Sequence, residues 1–272
     1  MTDPTRTRRR VFASLAAAAL LLFAGIGAAR AQTLADIKAR GKLVVGVMVD
    51  VPPYAILNDS NQPDGYDADI AKLLAKRMGV PLDMVVVTGP NRIPYLVTGK
   101  VDMLVAVLGI IPERTKLVLF SEPYSGFSQF IWAPKATKIE GPADLKGLTI
   151  GVPRANTADI ALSKIVPPGT NILRFDDDAS VRQALAAGQV DVVTASTTAI
   201  PALERLTGKG KYEKKFDLNT QVEGVAVRPG ATELLAWVND AIRAWKADGT
   251  IAKINDKWVG APLPDLSMPK QQ

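Results

Sequence analysis

The chain has 272 residues, 47% of them hydrophobic and 22% charged, with a formal net charge of +6. That composition supplies enough apolar side chains for the core of one large globular domain or two small ones. There is no cysteine and no histidine, which excludes a disulfide framework, a thiol nucleophile, Cys- or His-ligated metal and a Ser/His/Asp catalytic arrangement.

In chain order, Arg6, Arg8, Arg9 and Arg10 precede an uncharged Ala- and Leu-rich stretch over 11–29, which closes in Ala29-Arg30-Ala31-Gln32. A basic segment, an apolar core and an Ala-x-Ala ending are the parts of an export signal. Residues 1–31 are therefore expected to be a signal peptide, and the mature chain is expected in the periplasm without stable membrane insertion. The apolar run could nearly span a bilayer, but its Ala and Gly content and the cleavage pattern favour a signal. Cleavage after Ala31 removes five Arg and one Asp and leaves 28 basic and 26 acidic residues, a net of +2. The basic balance thus belongs mostly to the leader, and no nucleic-acid partner is expected.

Beyond the leader, β-rich runs at 43–49, 82–88, 103–108, 148–152, 172–175 and 190–194 are dense in Val, Ile and Leu without polar alternation. Parallel strands buried on both faces read this way. Helices lie between them. In Tyr66–Met78, the residues Ile70, Leu73, Leu74 and Met78 form one stripe. In Thr232–Ala247, Leu235, Val238, Ile242 and Trp245 recur at helical spacing, with Thr232 as the expected cap and Gly249 as a stop. The alternation predicts an α/β fold with right-handed crossovers. Gly41-Lys42-Leu43-Val44-Val45-Gly46-Val47 echoes Lys146-Gly147-Leu148-Thr149-Ile150-Gly151-Val152, and Gly99-Lys100-Val101-Asp102 echoes Gly188-Gln189-Val190-Asp191. The same two phrases in the same order predict two lobes of similar topology, with a ligand cleft between them. Asp102 and Asp191 read as turn-formers.

Several motifs carry a family resemblance. They are Pro52-Pro53-Tyr54, Gly65-Tyr66-Asp67-Ala68-Asp69-Ile70, Pro112-Glu113-Arg114, Phe120-Ser121-Glu122-Pro123-Tyr124, Glu223-Gly224-Val225-Ala226-Val227-Arg228 and Gly249-Thr250-Ile251-Ala252-Lys253-Ile254. Over the whole mature chain this resembles the family 3 extracellular solute-binding proteins. The resemblance implies a two-lobed type II periplasmic binding protein, each lobe a mainly parallel sheet flanked by helices, joined by a two-strand hinge. It assigns 34–128 plus 228–272 to lobe 1 and 129–227 to lobe 2, with hinge crossings near 128–132 and 224–227. It also implies a monomer that closes around a small carboxylate ligand and docks on an ABC permease in the inner membrane.

The same resemblance nominates site residues. Arg114 matches the family arginine that pairs with a ligand carboxylate, and a guanidinium fork suits that partner. Leu108 and Gly109 lie at the end of the third strand, close to that carboxylate. Asn156 and Thr157 fall at a helix N-terminus, where backbone N–H groups favour an anion. Arg92, in Asn91-Arg92-Ile93-Pro94, matches a form typical of glutamate/aspartate binders and is expected at the ligand's distal end. Arg154 adds positive field, and Tyr54 and Val51 are expected to line the cleft. Ser196 stands where family members for α-amino acids carry an Asp for the ligand's ammonium, and Met48 replaces a frequent acid. The implied ligand is an acidic amino acid, with an amine-free dicarboxylate or other organic acid as the alternative. A cyclohexadienyl dehydratase-like enzyme would need a proton donor in the cleft, and the motif positions supply none. A sensor module would continue into a membrane helix and a signalling domain, and a stand-alone binding protein is the simpler expectation. Asp176-Asp177-Asp178 lacks the spacing of a calcium loop and reads as a turn with a helix cap, so no metal or cofactor is expected.

Overall fold

The computed structural model describes residues 33–269; the leader assigned to 1–31 lies outside them. The elements in order are α1 (Leu34–Arg40), β1 (Leu43–Val47), β2 (Ile56–Leu57), β3 (Pro63–Asp64), α2 (Tyr66–Met78), β4 (Leu82–Val86), α3 (Arg92–Val97), β5 (Met103–Leu104), α4 (Pro112–Thr115), β6 (Leu119–Phe120) and β7 (Ser125–Pro134). There follow β8 (Thr149–Pro153), α5 (Thr157–Ile165), β9 (Asn171–Phe175), α6 (Asp178–Ala186), β10 (Val192–Ser196), α7 (Ile200–Thr207), β11 (Tyr212–Glu223), β12 (Ala226–Val227), α8 (Thr232–Ala247) and α9 (Thr250–Trp258). No helix among the described residues is long and apolar enough to cross a membrane.

Two five-stranded sheets carry the two lobes, in the orders β4-β1-β5-β12-β6 and β11-β7-β10-β8-β9. In each, three strands are parallel, with the first in the middle: β4-β1-β5 in one and β9-β8-β10 in the other. The repeated phrases mark these positions. Asp102 accepts from the Val44 N–H at 2.8 Å and Asp191 from the Thr149 N–H at 2.7 Å. Each aspartate clamps its neighbouring strand, so the turn-formers also fix strand register.

The sheets are mixed where mainly parallel ones were expected, because the strands that carry the chain between lobes run back against the parallel core. β12 pairs antiparallel with β5 and β6, and β7 pairs antiparallel with β10 and β11. The chain passes from one sheet to the other between Phe120 and Ser125 and again between Glu223 and Ala226. Residues 128–132, assigned above to a hinge crossing, lie inside β7. The Ser125–Glu223 pair ends the β7/β11 ladder at the crossings.

Alternation along β7 builds the second lobe. Phe130 and Trp132 face one core with Val181, Leu185 and Leu203, while Ile131 and Ala133 face another with Leu145, Ile150 and Leu162. In the first lobe, α2 buries Ile70, Leu74 and Met78, worth roughly 1.5–3 kcal/mol each, and Gly79 in the left-handed conformation (φ 75°) ends the helix. In α8 the cap differs from expectation. The N-cap is Ala231, which makes no side-chain bond, and Thr232 is the first helical residue. Leu234, with Val238, Ile242 and Trp245, forms its buried face.

Candidate functional site

The strand ends of both lobes converge on a cleft lined by Met48, Val51, Arg92, Gln129, Thr157 and Ser196, among others. Counting its open mouth, the cleft spans about 840 Å³.

One wall rests on the turn after β5. The expected strand stops at Leu104 because Val107 takes a left-handed backbone conformation (φ 48°), costly for a β-branched residue. Two buried side chains hold it there. Asp67 accepts from the Val107 N–H at 2.6 Å, and Arg92 donates to the Ala106 and Val107 carbonyls at 2.7 and 3.0 Å. The facing wall repeats the device. Ala155, just before α5, also has positive φ (60°), and Asp159 accepts from its N–H at 3.0 Å. Its carbonyl points at the first lobe. There Arg114 donates to it at 2.8 Å and Arg92 at 3.4 Å, while Arg114 also donates to the Gly109 carbonyl at 2.9 Å.

Arg92 and Arg114 are 2% and 4% exposed, and neither has a carboxylate partner among the described residues. Burial lowers both guanidinium pKa values, Arg92 to about 10, and for Arg114 the nearby Arg92 charge adds to the fall. They converge on one carbonyl instead of facing each other from opposite ends of the cleft, and Arg114 lies behind the lining. Thr157 opens α5, with Asn156 as its cap (Asp159 N–H to the Asn156 side chain, 2.7 Å). The Thr157 hydroxyl reaches the Gln129 carboxamide at 2.8 Å and contacts that of Gln221, which in turn donates to Glu223 at 3.1 Å. Ser196 ends β10, and its hydroxyl meets Thr198 at 3.0 Å. Arg154 lines the mouth, tied to Asp176 at 3.0 Å.

Two nominated residues sit elsewhere. Tyr54 is 1% exposed, packs between Tyr66 and Phe127 and donates to the Gly126 carbonyl. Leu108 is fully buried in the same core. Gly109 is placed by close approach: a Cβ on it would come within 2.8 Å of Thr157 and 2.9 Å of Gln221.

The structure also brings to the cleft and its floor acids that were not nominated as site residues. Asp177 caps α6, accepting from the Ser180 N–H at 2.6 Å, as the turn reading expected. Asp178, the first residue of α6, also lines the cleft. Its N–H donates to Asp50 of the opposite lobe at 2.7 Å, and Arg182 donates to the Asp50 carbonyl at 3.2 Å. Burial, with Asp50 alongside, raises the Asp178 carboxyl to about 7. Deeper, where β11 ends, Glu223 is fully buried between Ser125 (2.6 Å) and Gln221, and burial with Asp67 nearby raises it to about 8. Asp67 is raised to about 6 by burial, opposed by its bonds from Tyr124 and Val107. The sequence signal for Asp67 was its place in the Gly-Tyr-Asp motif. Nothing marked Glu223 as buried beside the cleft.

A two-lobed α/β molecule with a cleft of mixed charge between its strand ends has the architecture of a solute-binding protein. Residues 43–261 match the model of the bacterial extracellular solute-binding proteins, family 3, and the chain belongs to that family. It is 30% identical over 232 residues to the L-cystine-binding protein of Escherichia coli K12, covering 85% of this chain and 87% of that one. It is 32% identical over 251 residues to ABC transporter arginine-binding protein 1 of the same organism, covering 90% and 98%. Among solved structures it resembles an ancestral amino acid-binding protein described as a precursor of cyclohexadienyl dehydratase, with a TM-score of 0.73, 33% identity and coverage of 83% and 98%.

Proposed function

We propose that this protein is the periplasmic binding component of an ABC uptake transporter, that it takes an acidic amino acid into the interlobe cleft, and that its closed form docks on a permease in the inner membrane. The observation that carries this reading is the pair of buried guanidiniums, Arg92 and Arg114, both without a carboxylate partner among the described residues and both reaching the Ala155 carbonyl across the cleft. Two desolvated positive charges side by side favour a compact, charge-dense anion. The relatives named for cystine and arginine support an amino acid as the class of ligand. In this reading the sheet β4-β1-β5-β12-β6 with its helices forms lobe 1, the sheet β11-β7-β10-β8-β9 with its helices forms lobe 2, and the two crossings act as the hinge, so the boundaries expected at 128 and 228 move to 120–125 and 223–226. A ligand touching both lobes stabilises the closed form by its differential contacts alone. Isothermal titration calorimetry against glutamate, aspartate, glutamine, cystine, arginine and glutarate tests it. Tightest binding of glutamate or aspartate is expected, and tighter binding of a neutral or basic amino acid overturns the acidic preference.

A second reading has one observation in its favour. Asp178 is a carboxyl in the cleft with its pKa raised to about 7, the property a dehydratase needs in a general acid. Incubation with prephenate and arogenate separates the two: no product is expected, and turnover would establish the enzyme.

A further inference from the structure

The cleft combines the two signs of charge, and the acids in it are not equivalent. Asp176 is tied to Arg154, Asp177 is spent on capping α6, and Asp50 accepts from the Asp178 N–H. The Asp178 carboxylate makes no hydrogen bond or ion pair among the described residues, yet it lines the cleft. Ser196, where the resemblance in sequence implies an acid in other family members, offers a neutral hydroxyl already engaged with Thr198. A second side chain in the same cleft is also half committed. Gln129 is 8% exposed; one end of its carboxamide is bound to Thr157, and the other has no partner among the described residues. The open amide end belongs to a side chain that lines the cleft, where it can donate to a polar occupant.

We propose that Asp178 receives the ammonium group of the ligand, replacing from the N-terminal end of α6 the acid that Ser196 does not provide. The inference rests on the reading of the cleft as an amino-acid site and deepens it, by requiring a cation in the ligand and so setting amine-free dicarboxylates aside. It also explains why Asp178 is held against the opposite lobe. The bond from its N–H to Asp50 forms across the cleft, so the carboxylate is brought to the ligand as the lobes meet.

The test is calorimetry of wild type and Asp178→Asn with glutamate and with glutarate, which differ by the amine. Wild type is expected to prefer glutamate. In Asp178→Asn the loss of one charge-assisted bond weakens glutamate about tenfold to a hundredfold. Glutarate is unchanged or tighter, because a negative charge near Arg92 has been removed. Asparagine keeps the shape and the backbone N–H to Asp50, and an unchanged melting temperature confirms that the fold is intact. An unchanged glutamate-to-glutarate ratio in the variant overturns the proposal, as does wild type binding both equally. If another amino acid binds best, the same comparison is made with its own amine-free counterpart. Loss of that preference in Asp178→Asn upholds the role of Asp178 while the acidic-ligand reading falls. Arginine and citrulline provide the last arm: an effect of Asp178→Asn on arginine alone would put a side-chain cation at Asp178 and overturn the ammonium assignment.

Discussion

Arg114→Ala is the most demanding perturbation of the site. The guanidinium is 4% exposed and donates to Gly109 in its own lobe and to Ala155 in the other, at 2.9 and 2.8 Å. Both are charge-assisted bonds from a desolvated group, a type worth about 1.5–3 kcal/mol each. In the proposed function Arg114 also faces the ligand's carboxylate, and losing one partner of such a charge pair costs about 2–5 kcal/mol in binding, or roughly 30-fold to 5,000-fold in Kd. Arg114→Lys keeps the charge but loses the fork, and its loss should fall near half that of alanine on the free-energy scale. Calorimetry on the tightest ligand, with thermal unfolding as a control for folding, measures both. A Kd for Arg114→Ala within threefold of wild type would refute the role given to this residue.

Arg92→Leu should lower the affinity ratio of glutamate over glutamine by tenfold or more, as one of the two buried guanidiniums at the cleft is removed; an unchanged ratio sinks the acidic preference. It should also lower the melting temperature, because the Ala106 and Val107 carbonyls lose their donor. Gly89→Ala tests closure without touching a charge. Its Cβ would lie 2.6 Å from the Arg154 carbonyl of the opposite lobe, a backbone atom with little room to yield. Affinity should fall roughly fivefold to a hundredfold, and a change under twofold contradicts the closed geometry. For pH dependence, Glu223 binds its proton more tightly when folded, with a pKa raised from 4.5 to about 8. Its contribution is full below pH 4.5 and is lost as pH rises to 8, by up to about 1.4 kcal/mol per pH unit. The raised Asp67 adds the same sign at lower pH. Melting temperature should therefore fall between pH 5 and 8, and Glu223→Gln should flatten the fall; equal slopes in the two proteins would remove Glu223 as the cause.

Local signals in the sequence located what depends on local chemistry. The apolar stripe expected over Tyr66–Met78 matches α2, and repeated Gly-x-Val-Asp phrases located equivalent strands in the two lobes. Long-range pairing was less visible. β11 runs through Lys214, Lys215, Asp217 and Asn219, so it has no apolar run, and its pairing with β7 shifts register twice between Lys214 and Asn219. The strand expected to reach 108 stops at Leu104, because the Asp67 and Arg92 side chains, distant in sequence, impose a turn that a run of valines does not announce. The site divides in the same way. Arg92, Thr157, Asn156, Val51, Ser196 and Arg154 sit at the cleft, and Arg114 just behind it. Tyr54 is drawn into the core by an aromatic cluster. Asp178 was hidden in a reading that held for its neighbour Asp177, since a helix cap can be inferred from sequence while the direction its next residue faces cannot.

Thermal unfolding of the protein against all twenty amino acids and a series of plain dicarboxylates tests the account most directly. A ligand at about a thousand times its Kd should add roughly 4 kcal/mol, a rise on the order of 10 °C for a chain of this size. The account predicts such a rise with glutamate or aspartate and a much smaller one with glutarate or succinate. A rise of no more than about 1–2 °C with every amino acid, well under the expected shift, would contradict it.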